Sequence, residues 1–247
     1  MDEGCHCESW ISLSNVCRAA SELEPNDSLM FHTWGFCGMN WLDKLWPGSH
    51  TRSELKAIAR ESEGAFAKAI QLDPNDADLH YDFGVFYYMH REEFDNELEA
   101  VEKAAELLKK AIEIDERHPL ARLYLGHWYH DKAQWADAIP LYESVDQNIL
   151  GERLHPWRVY RLRGQIAACQ AFVGELETSR RNFSVLLNDM ARLNDEEFDD
   201  VADLIDLDEA SAAISGPLAD AELKQGLNTI LRRLGLEPGD PSKDAGS

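Results

Sequence analysis

A short phrase of small, apolar and acidic residues occurs three times along the chain and ends each time where a helix is expected to stop. It reads Ala20-Ser-Glu-Leu-Glu-Pro25, Ala69-Ile-Gln-Leu-Asp-Pro74 and Ala111-Ile-Glu-Ile-Asp-Glu116, and a glycine follows ten residues later each time: Gly35, Gly84 and Gly126. Such self-similarity is typical of stacked helix pairs, in which each pair buries its apolar face only against its neighbours. The pattern predicts an all-α protein with an extended concave surface, which favours binding over an enclosed reaction cavity.

The third repeat carries the most complete pattern. Its two segments are Arg122-Leu-Tyr-Leu-Gly-His-Trp-Tyr129 and Gln134-Trp-Ala-Asp-Ala-Ile-Pro-Leu-Tyr142. They resemble the tetratricopeptide repeat, which has Leu-Gly followed by Tyr on its first helix and Ala with an aromatic residue on its second. The resemblance implies an all-α, right-handed superhelical solenoid of antiparallel helix pairs. In that fold a glycine such as Gly126 allows two helices to approach closely.

Two repeats exceed the 34 residues usual for this family. Gly84 and Gly126 are 42 residues apart, and the excess falls at residues 91–103, where we expect both helices of the pair to be about a turn longer. Gly35 and Gly84 are 49 residues apart. The enlargement at residues 41–51 contains Pro47-Gly48, which predicts a break before a second helix at Arg52–Leu72.

Both ends of the chain depart from the regular repeat. Residues 10–23 predict the second helix of a pair whose first helix is absent, and a fourth pair follows Asn148, with Arg163 where an apolar residue is expected. Residues 195–209 are acidic but keep apolar residues at helical spacing, and residues 219–234 predict a capping helix. The expected division is an N-terminal segment at 1–24, repeats at 25–190, an acidic helical cap at 191–236 and a disordered tail at 237–247.

Composition and charge restrict the choice of partner. The 247 residues are 44% hydrophobic and 28% charged, as in an ordinary folded protein, and the formal net charge is −22. That charge disfavours nucleic acid and anionic membrane surfaces and favours a protein or peptide partner with basic segments. The alternative is that the acidity only maintains solubility. The chain has neither a run of about 18 apolar residues nor a basic, apolar leader, so a cytoplasmic location is expected.

The N-terminal cysteines are the first candidate for chemistry. Thiolate and imidazole groups at Cys5, His6, Cys7, Cys17 and Cys37, with His32, are the ligand types of a tetrahedral zinc site. Their spacing is not that of a zinc motif, because one residue separates the first pair and no second pair follows. The favoured interpretation makes Cys17 and Cys37 small core residues, and no metal or cofactor is predicted. Five cysteines without an export signal also argue against a disulfide framework.

A second candidate for chemistry is the cluster of His127, His130 and Asp131. These residues lie three and four positions apart on one helix, so that neighbouring faces would present them together for metal binding or general base catalysis. In the tetratricopeptide scaffold the same positions face the concave groove. The resemblance therefore implies a polar groove wall, which explains the cluster without catalysis.

The resemblance also gives a map of the groove, from the positions three and six before each glycine and one, four and five after it. The predicted peptide-binding residues are Tyr81, Val85, Tyr88, Met89, Leu123, His127, His130, Asp131, Arg158, Arg161 and Gln165. Tyrosine, methionine and arginine are enriched where proteins bind proteins. Tyr81, Val85 and Leu123 stand where one branch of the family uses lysine or asparagine to hold C-terminal carboxylates, so such a clamp is not expected.

The sequence therefore predicts a scaffold or adaptor that binds a protein segment in the groove, as an assembly factor or a regulatory subunit. No glycine-rich phosphate loop, nucleophile elbow or His-Glu-x-x-His pair is present, and no enzymatic activity is predicted. Two alternatives stay open at this point. One is a metal- or redox-responsive module that uses the N-terminal cysteines, and the other is an enzyme, or a subunit of an enzyme complex.

Overall fold

The structure, a computed structural model, describes residues 4–45, 50–153, 156–202 and 206–236. Within these ranges the regular elements are all helical, which confirms the predicted fold class. The α-helices are α1 Gly4–Leu23, α2 Ser28–Lys44, α3 Arg52–Leu72, α4 Ala77–Met89, α5 Glu97–Ile114, α6 Pro119–Asp131, α7 Trp135–Glu143, α8 Gln147–Arg153, α9 Pro156–Phe172, α10 Leu176–Arg192, α11 Asp195–Ala202, α12 Leu207–Ser215 and α13 Ala221–Arg233. None of the described helices is long and apolar enough to cross a membrane.

The chain forms two compact units that meet in sequence between Trp128 and Tyr129. In the first unit α1 packs on α2, α2 on α3, and α4 on α5. In the second unit α9 packs on α7, α8, α10 and α12, and α10 packs on α13. Short connections join the paired helices, so that consecutive helices run antiparallel. The predicted domain boundaries after residues 24, 190 and 236 stay predictions, and the tail at 237–247 lies outside the described residues.

Local sequence signals set the helix ends. Thr51 and Glu54 form a reciprocal capping box at the start of α3, and these hydrogen bonds from Thr51 lower the pKa of the Glu54 carboxyl. The carboxylates of Asp27, Asp76 and Asp220 accept hydrogen bonds from backbone N–H groups in the first turns of α2, α4 and α13. Each copy of the repeated phrase lies at the end of a helix, since α1, α3 and α5 end at Leu23, Leu72 and Ile114.

Gly35 and Gly84, two of the three repeat glycines, lie where helices approach closely, as the resemblance implied. A Cβ atom on Gly35 would lie 2.8 Å from the ring of Phe66 on α3, and one on Gly84 would lie 2.9 Å from Cγ of Leu108 on α5. Neither distance leaves room for a side chain. The role of glycine at these two crossings is therefore confirmed.

Replacing Gly84 by alanine is expected to destabilise the protein by about 1 kcal/mol. The new Cβ would also lie 3.2 Å from the backbone carbonyl oxygen of Ala104, so α4 and α5 must separate, and that overpacking outweighs the better helix propensity of alanine. Gly64 on α3 is the control, because nothing lies within 4 Å of its Cβ position. Gly64→Ala should stabilise the protein by about 0.5–1 kcal/mol in urea unfolding. Equal effects at both sites would contradict this account.

The enlarged repeats differ from the sequence-based prediction. Helix α4 ends at Met89 and has 13 residues, and a 3₁₀ turn at Arg91–Glu93 and an irregular segment lead to α5. The prediction that both helices of this pair are lengthened was therefore wrong for α4. In the earlier enlargement α2 continues to Lys44 and contains Trp41, while Trp46, Pro47 and Gly48 lie outside the described residues.

The acidic C-terminal segment also departs from the prediction of one amphipathic helix. It forms α11 and α12, because Asp206 adopts a non-helical conformation and its side chain accepts a hydrogen bond from the N–H of Glu209, which starts a new helix. The predicted capping helix is confirmed as α13. Its apolar residues Leu223, Leu227 and Ile230 are buried in a core shared with Phe183 and Leu187 of α10.

Candidate functional site

Three tyrosines form a continuous aromatic surface on first helices of the pairs in the first unit. Tyr81 and Tyr88 are seven residues apart, so both lie on one side of α4. The ring of Tyr124 on α6 lies between them, with its centroid 6.0 Å from each, at interplanar angles of 61° and 82°. These edge-to-face contacts fix the rings relative to one another. Together with Met89 and His127, the three tyrosines are called the tyrosine surface below.

His118, directly before α6, anchors one end of the tyrosine surface. Its ring centroid lies 4.8 Å from that of Tyr81. Nδ1 of His118 accepts a hydrogen bond from the backbone N–H of Ala121, so Nε2 is the nitrogen that donates to Oδ1 of Asp78, 3.0 Å away. The histidine thus caps α6 and joins it to α4. This arrangement holds Tyr81 in place before any ligand arrives.

The other end of the tyrosine surface is more open. Met89 is 52% exposed at the end of α4, and the ring of Tyr124 contacts His127 edge-on at 5.6 Å. The guanidinium of Arg91 lies 5.8 Å from the centroid of Tyr88 and donates a hydrogen bond to the Tyr88 carbonyl oxygen. The surface therefore combines aromatic faces, a flexible thioether and a nearby cation–π contact.

Two of the predicted groove residues in this unit point elsewhere. Val85 and Leu123 are only 8% and 4% exposed and belong to the hydrophobic core. Tyr124, which the groove map did not include, takes the central position instead. The spacing rule places residues by their distance from the glycine, and it cannot show that a large ring two positions before Gly126 reaches the neighbouring helix.

The predicted groove residues of the second unit are dispersed. Gln165 is buried, Arg161 is exposed, and the Arg158 guanidinium lies 5.1 Å from the ring centroid of its neighbour Trp157. Asp131 is exposed at the end of α6. His130 is largely buried, and its Nε2 forms a close ion pair with Oε1 of Glu209 on α12. His130 is therefore engaged by the C-terminal helices of its own unit.

The surroundings of His130 set its protonation. Asp131, the Cys169 thiol and Glu209 raise the pKa of His130 to about 12. Asp131 contributes charge from 3.9 Å, beyond hydrogen-bond distance, so Glu209 is the direct partner. Burial raises the pKa of Cys169, which His130 partly offsets. An imidazole that keeps its proton at neutral pH does not act as a general base, so His130, paired with Glu209, does not fit the role that the catalytic alternative gives it.

The described N-terminal thiols have the properties of core residues. Cys17 and Cys37 are buried, and burial, with a smaller contribution from Cys17, raises the pKa of Cys37 to about 11. Nε2 of His32 lies within hydrogen-bond distance of Oδ2 of Asp82, at 2.7 Å. Among the residues that the structure describes, no group of three His, Cys, Asp or Glu side chains could hold a metal ion. The candidates Cys5, His6 and Cys7 have side chains outside the described part.

The paired helices and their glycine crossings define a tetratricopeptide-repeat fold, and comparison with solved structures supports this. The chain is similar to a structure described as YrrB, a TPR protein with an unusual peptide-binding site, at a TM-score of 0.56 and 17% identity, over 89% of this chain and 94% of that one. A MamA crystal structure matches at 0.52 and 16% identity, over 76% and 86%. At these identities the likeness is one of fold. Neither a protein-family model nor a curated protein matches the sequence.

Proposed function

We propose that the protein is a non-catalytic binding module whose tyrosine surface takes up a segment of a partner protein, as an adaptor, assembly factor or regulatory subunit. The observation that carries the proposal is the contact of Tyr124 with both Tyr81 and Tyr88 across two neighbouring helices. Because the three rings are already held in a fixed mutual orientation, little conformational entropy is lost when a ligand binds to them. Tyrosine also offers a large contact area with few rotatable bonds.

The charge of the chain supports a partner segment with basic residues. With a net charge of −22, the protein attracts cationic segments over a distance and repels nucleic acid and anionic lipid surfaces. Asp78 lies beside the tyrosine surface, and its carboxylate is 77% exposed although it accepts a hydrogen bond from His118. A lysine or arginine of the partner can lie over a tyrosine face while it approaches this carboxylate. We infer a protein partner with basic segments on these grounds.

The fold relatives are consistent with this proposal. YrrB is described as having an unusual peptide-binding site, and the same fold in this chain presents aromatic residues on consecutive first helices. Aromatic anchors that lie side by side suit an extended peptide, whose side chains enter at regular intervals. The chain differs from a carboxylate clamp, because Tyr81, Val85 and Leu123 stand where such a clamp requires lysine or asparagine.

Replacing Tyr88 by alanine is expected to weaken peptide binding about tenfold or more. The change removes one of the three rings and leaves Tyr124 without one of its edge contacts, a loss typical of an aromatic anchor. The test selects peptides from a random 12-residue library on the full chain and measures their affinity by fluorescence polarisation. The selected peptides should be enriched in lysine or arginine, and raising the salt concentration should weaken their binding to the protein.

Leu98→Ala is the matched control for this test. Leu98 is apolar and 68% exposed, but it lies on α5, the second helix of the same pair. Its replacement should leave the affinity unchanged. If the peptides bind Tyr88→Ala as tightly as wild type, the binding surface lies elsewhere. The same conclusion follows if Leu98→Ala weakens binding as much as Tyr88→Ala does.

A further inference from the structure

The first helix carries a row of apolar side chains that the rest of the chain leaves uncovered. Leu13, Val16 and Leu23 are 41%, 63% and 82% exposed, and Leu29 at the start of α2 is 59% exposed. With Ala20, the α1 residues are spaced by three or four positions, so they form one stripe along the helix. The residues that face α2 are different, since Cys17 and Ser21 are buried. The stripe is called the α1 stripe below.

The α1 stripe has few charged residues around it over most of its length. From residue 9 to residue 21 the sequence contains a single charged side chain, Arg18, in a chain of net charge −22. Arg18 is engaged within the protein, since its Nη2 donates to Asn15 and its Nη1 lies 3.5 Å from Glu61. Two copies of this acidic protein repel each other through their net charge, and the first part of the α1 stripe adds little to that repulsion.

The last helix of the chain is built in the opposite way. Helix α13 buries Leu223, Leu227 and Ile230, and its exposed positions carry Glu222, Lys224, Gln225, Arg232 and Arg233. A stack of helix pairs needs such a polar terminal helix to remain soluble. The described part of α13 therefore offers no exposed apolar stripe comparable to that of α1.

We propose that the α1 stripe is the interface of a symmetric homodimer, in which a second copy of this chain covers it with its own α1 stripe. A twofold axis is the commonest symmetry of soluble oligomers and requires one self-complementary patch, which an uncharged apolar stripe supplies. The two helices run antiparallel. In that orientation Glu22 and Glu24 of one copy lie toward the serine-rich part of the other α1 near Ser12 and Ser14, whereas a parallel pair would place like charges together.

The dimer is expected to dissociate on dilution. Helix α1 has 20 residues and is therefore about 30 Å long. Stable interfaces usually bury about 800 Å² on each partner, and α1 with Leu29 can form only a small interface by comparison. The C-terminal residues 237–247 do not provide an alternative cover, because their sequence contains no large apolar side chain. The interface is therefore accessible to a second copy.

Light scattering coupled to size-exclusion chromatography of the full chain tests the proposal. At about 100 µM the wild type should have twice the mass of one chain, and Val16→Glu should have the mass of a single chain, because it places two carboxylates in the apolar contact. Circular dichroism should show unchanged helix content, since position 16 is exposed. A wild type that is monomeric at this concentration overturns the proposal.

Leu98→Glu serves as the matched control, because it introduces the same charge at a comparably exposed apolar residue on α5. It should retain the dimer mass. A dimer that survives Val16→Glu and Leu23→Glu would show that another surface mediates association. Equal dissociation by Leu98→Glu would show that added charge alone separates the copies, and either result rejects the α1 stripe as the interface.

Discussion

Replacing Phe66 by alanine is expected to lower the free energy of unfolding by about 3–5 kcal/mol, the usual cost of removing a fully buried aromatic ring. Phe66 on α3 is completely buried, and its ring centroid lies 5.3 Å from that of Phe83 and 5.5 Å from that of Phe86, both on α4. On its other side the ring fills the space that Gly35 leaves open on α2. One side chain thus joins three helices of the first unit, and alanine would leave a cavity between them.

The measurement for Phe66 is urea unfolding followed by circular dichroism, with Phe31→Ala as the control. Phe31 lies on α2 and is only partly buried, with one stacked contact to Trp34 at 6.3 Å. Its replacement should cost less than about 1.5 kcal/mol. If the two substitutions have the same small effect, Phe66 is not the common packing point of these helices.

The fold could be predicted from sequence because its signals are local and repeated. The spacing from Ala69 to Gly84 contains the end of one helix, a turn and the glycine that permits the next close crossing, and the structure reproduces each of them. The second helix predicted at Arg52–Leu72 is present with the same bounds. Thr51 and Glu54 explain its start, since a capping box acts over only three residues.

Arg163 departs from the repeat pattern, and only the contacts in the structure explain its presence. The sequence places it where the repeat expects an apolar residue, which argues against a fourth pair, yet α9 and α10 form. Its Nε donates to Gln147 on α8, and its Nη1 lies 3.3 Å from Asp189 on α10. The guanidinium therefore links three helices by hydrogen bonds, a function that no periodicity of apolar residues indicates.

The candidate sites were less predictable because they depend on contacts between distant residues. His130 and Glu209 are 79 positions apart, and the groove rule assigned His130 to a ligand without any signal that α12 would engage it. Tyr124 was missed for a similar reason, since its role depends on how far α6 and α4 approach. Spacing from the glycine predicts which side of a helix a residue occupies, but not which other element covers that side.

Replacing Glu209 by glutamine is expected to destabilise the protein by about 2–3 kcal/mol at pH 6, because the substitution removes the negative charge that balances the protonated, largely buried His130. The side chains of His130 and Glu209 are only 17% and 12% exposed, so water screens the pair little. The pair fastens α12 to the end of α6 within the second unit. Asp131→Asn is the matched control, since that carboxylate is half exposed and 3.9 Å from Nδ1, and it should cost less than about 1 kcal/mol.

The effect of Glu209→Gln should also depend on pH in a defined direction. The pKa of His130 rises from 6.5 to about 12 in the folded chain, with Asp131, Cys169 and Glu209 facing the imidazole. Above pH 6.5 the unfolded chain releases this proton while the folded chain keeps it, so the stabilisation is complete below pH 6.5 and declines as the pH rises toward 12. Urea unfolding at pH 6.0 and 8.5 should therefore show a smaller difference between wild type and Glu209→Gln at the higher pH. A difference that grows with pH, or an Asp131→Asn effect as large as that of Glu209→Gln, would contradict a protonated His130 held by Glu209.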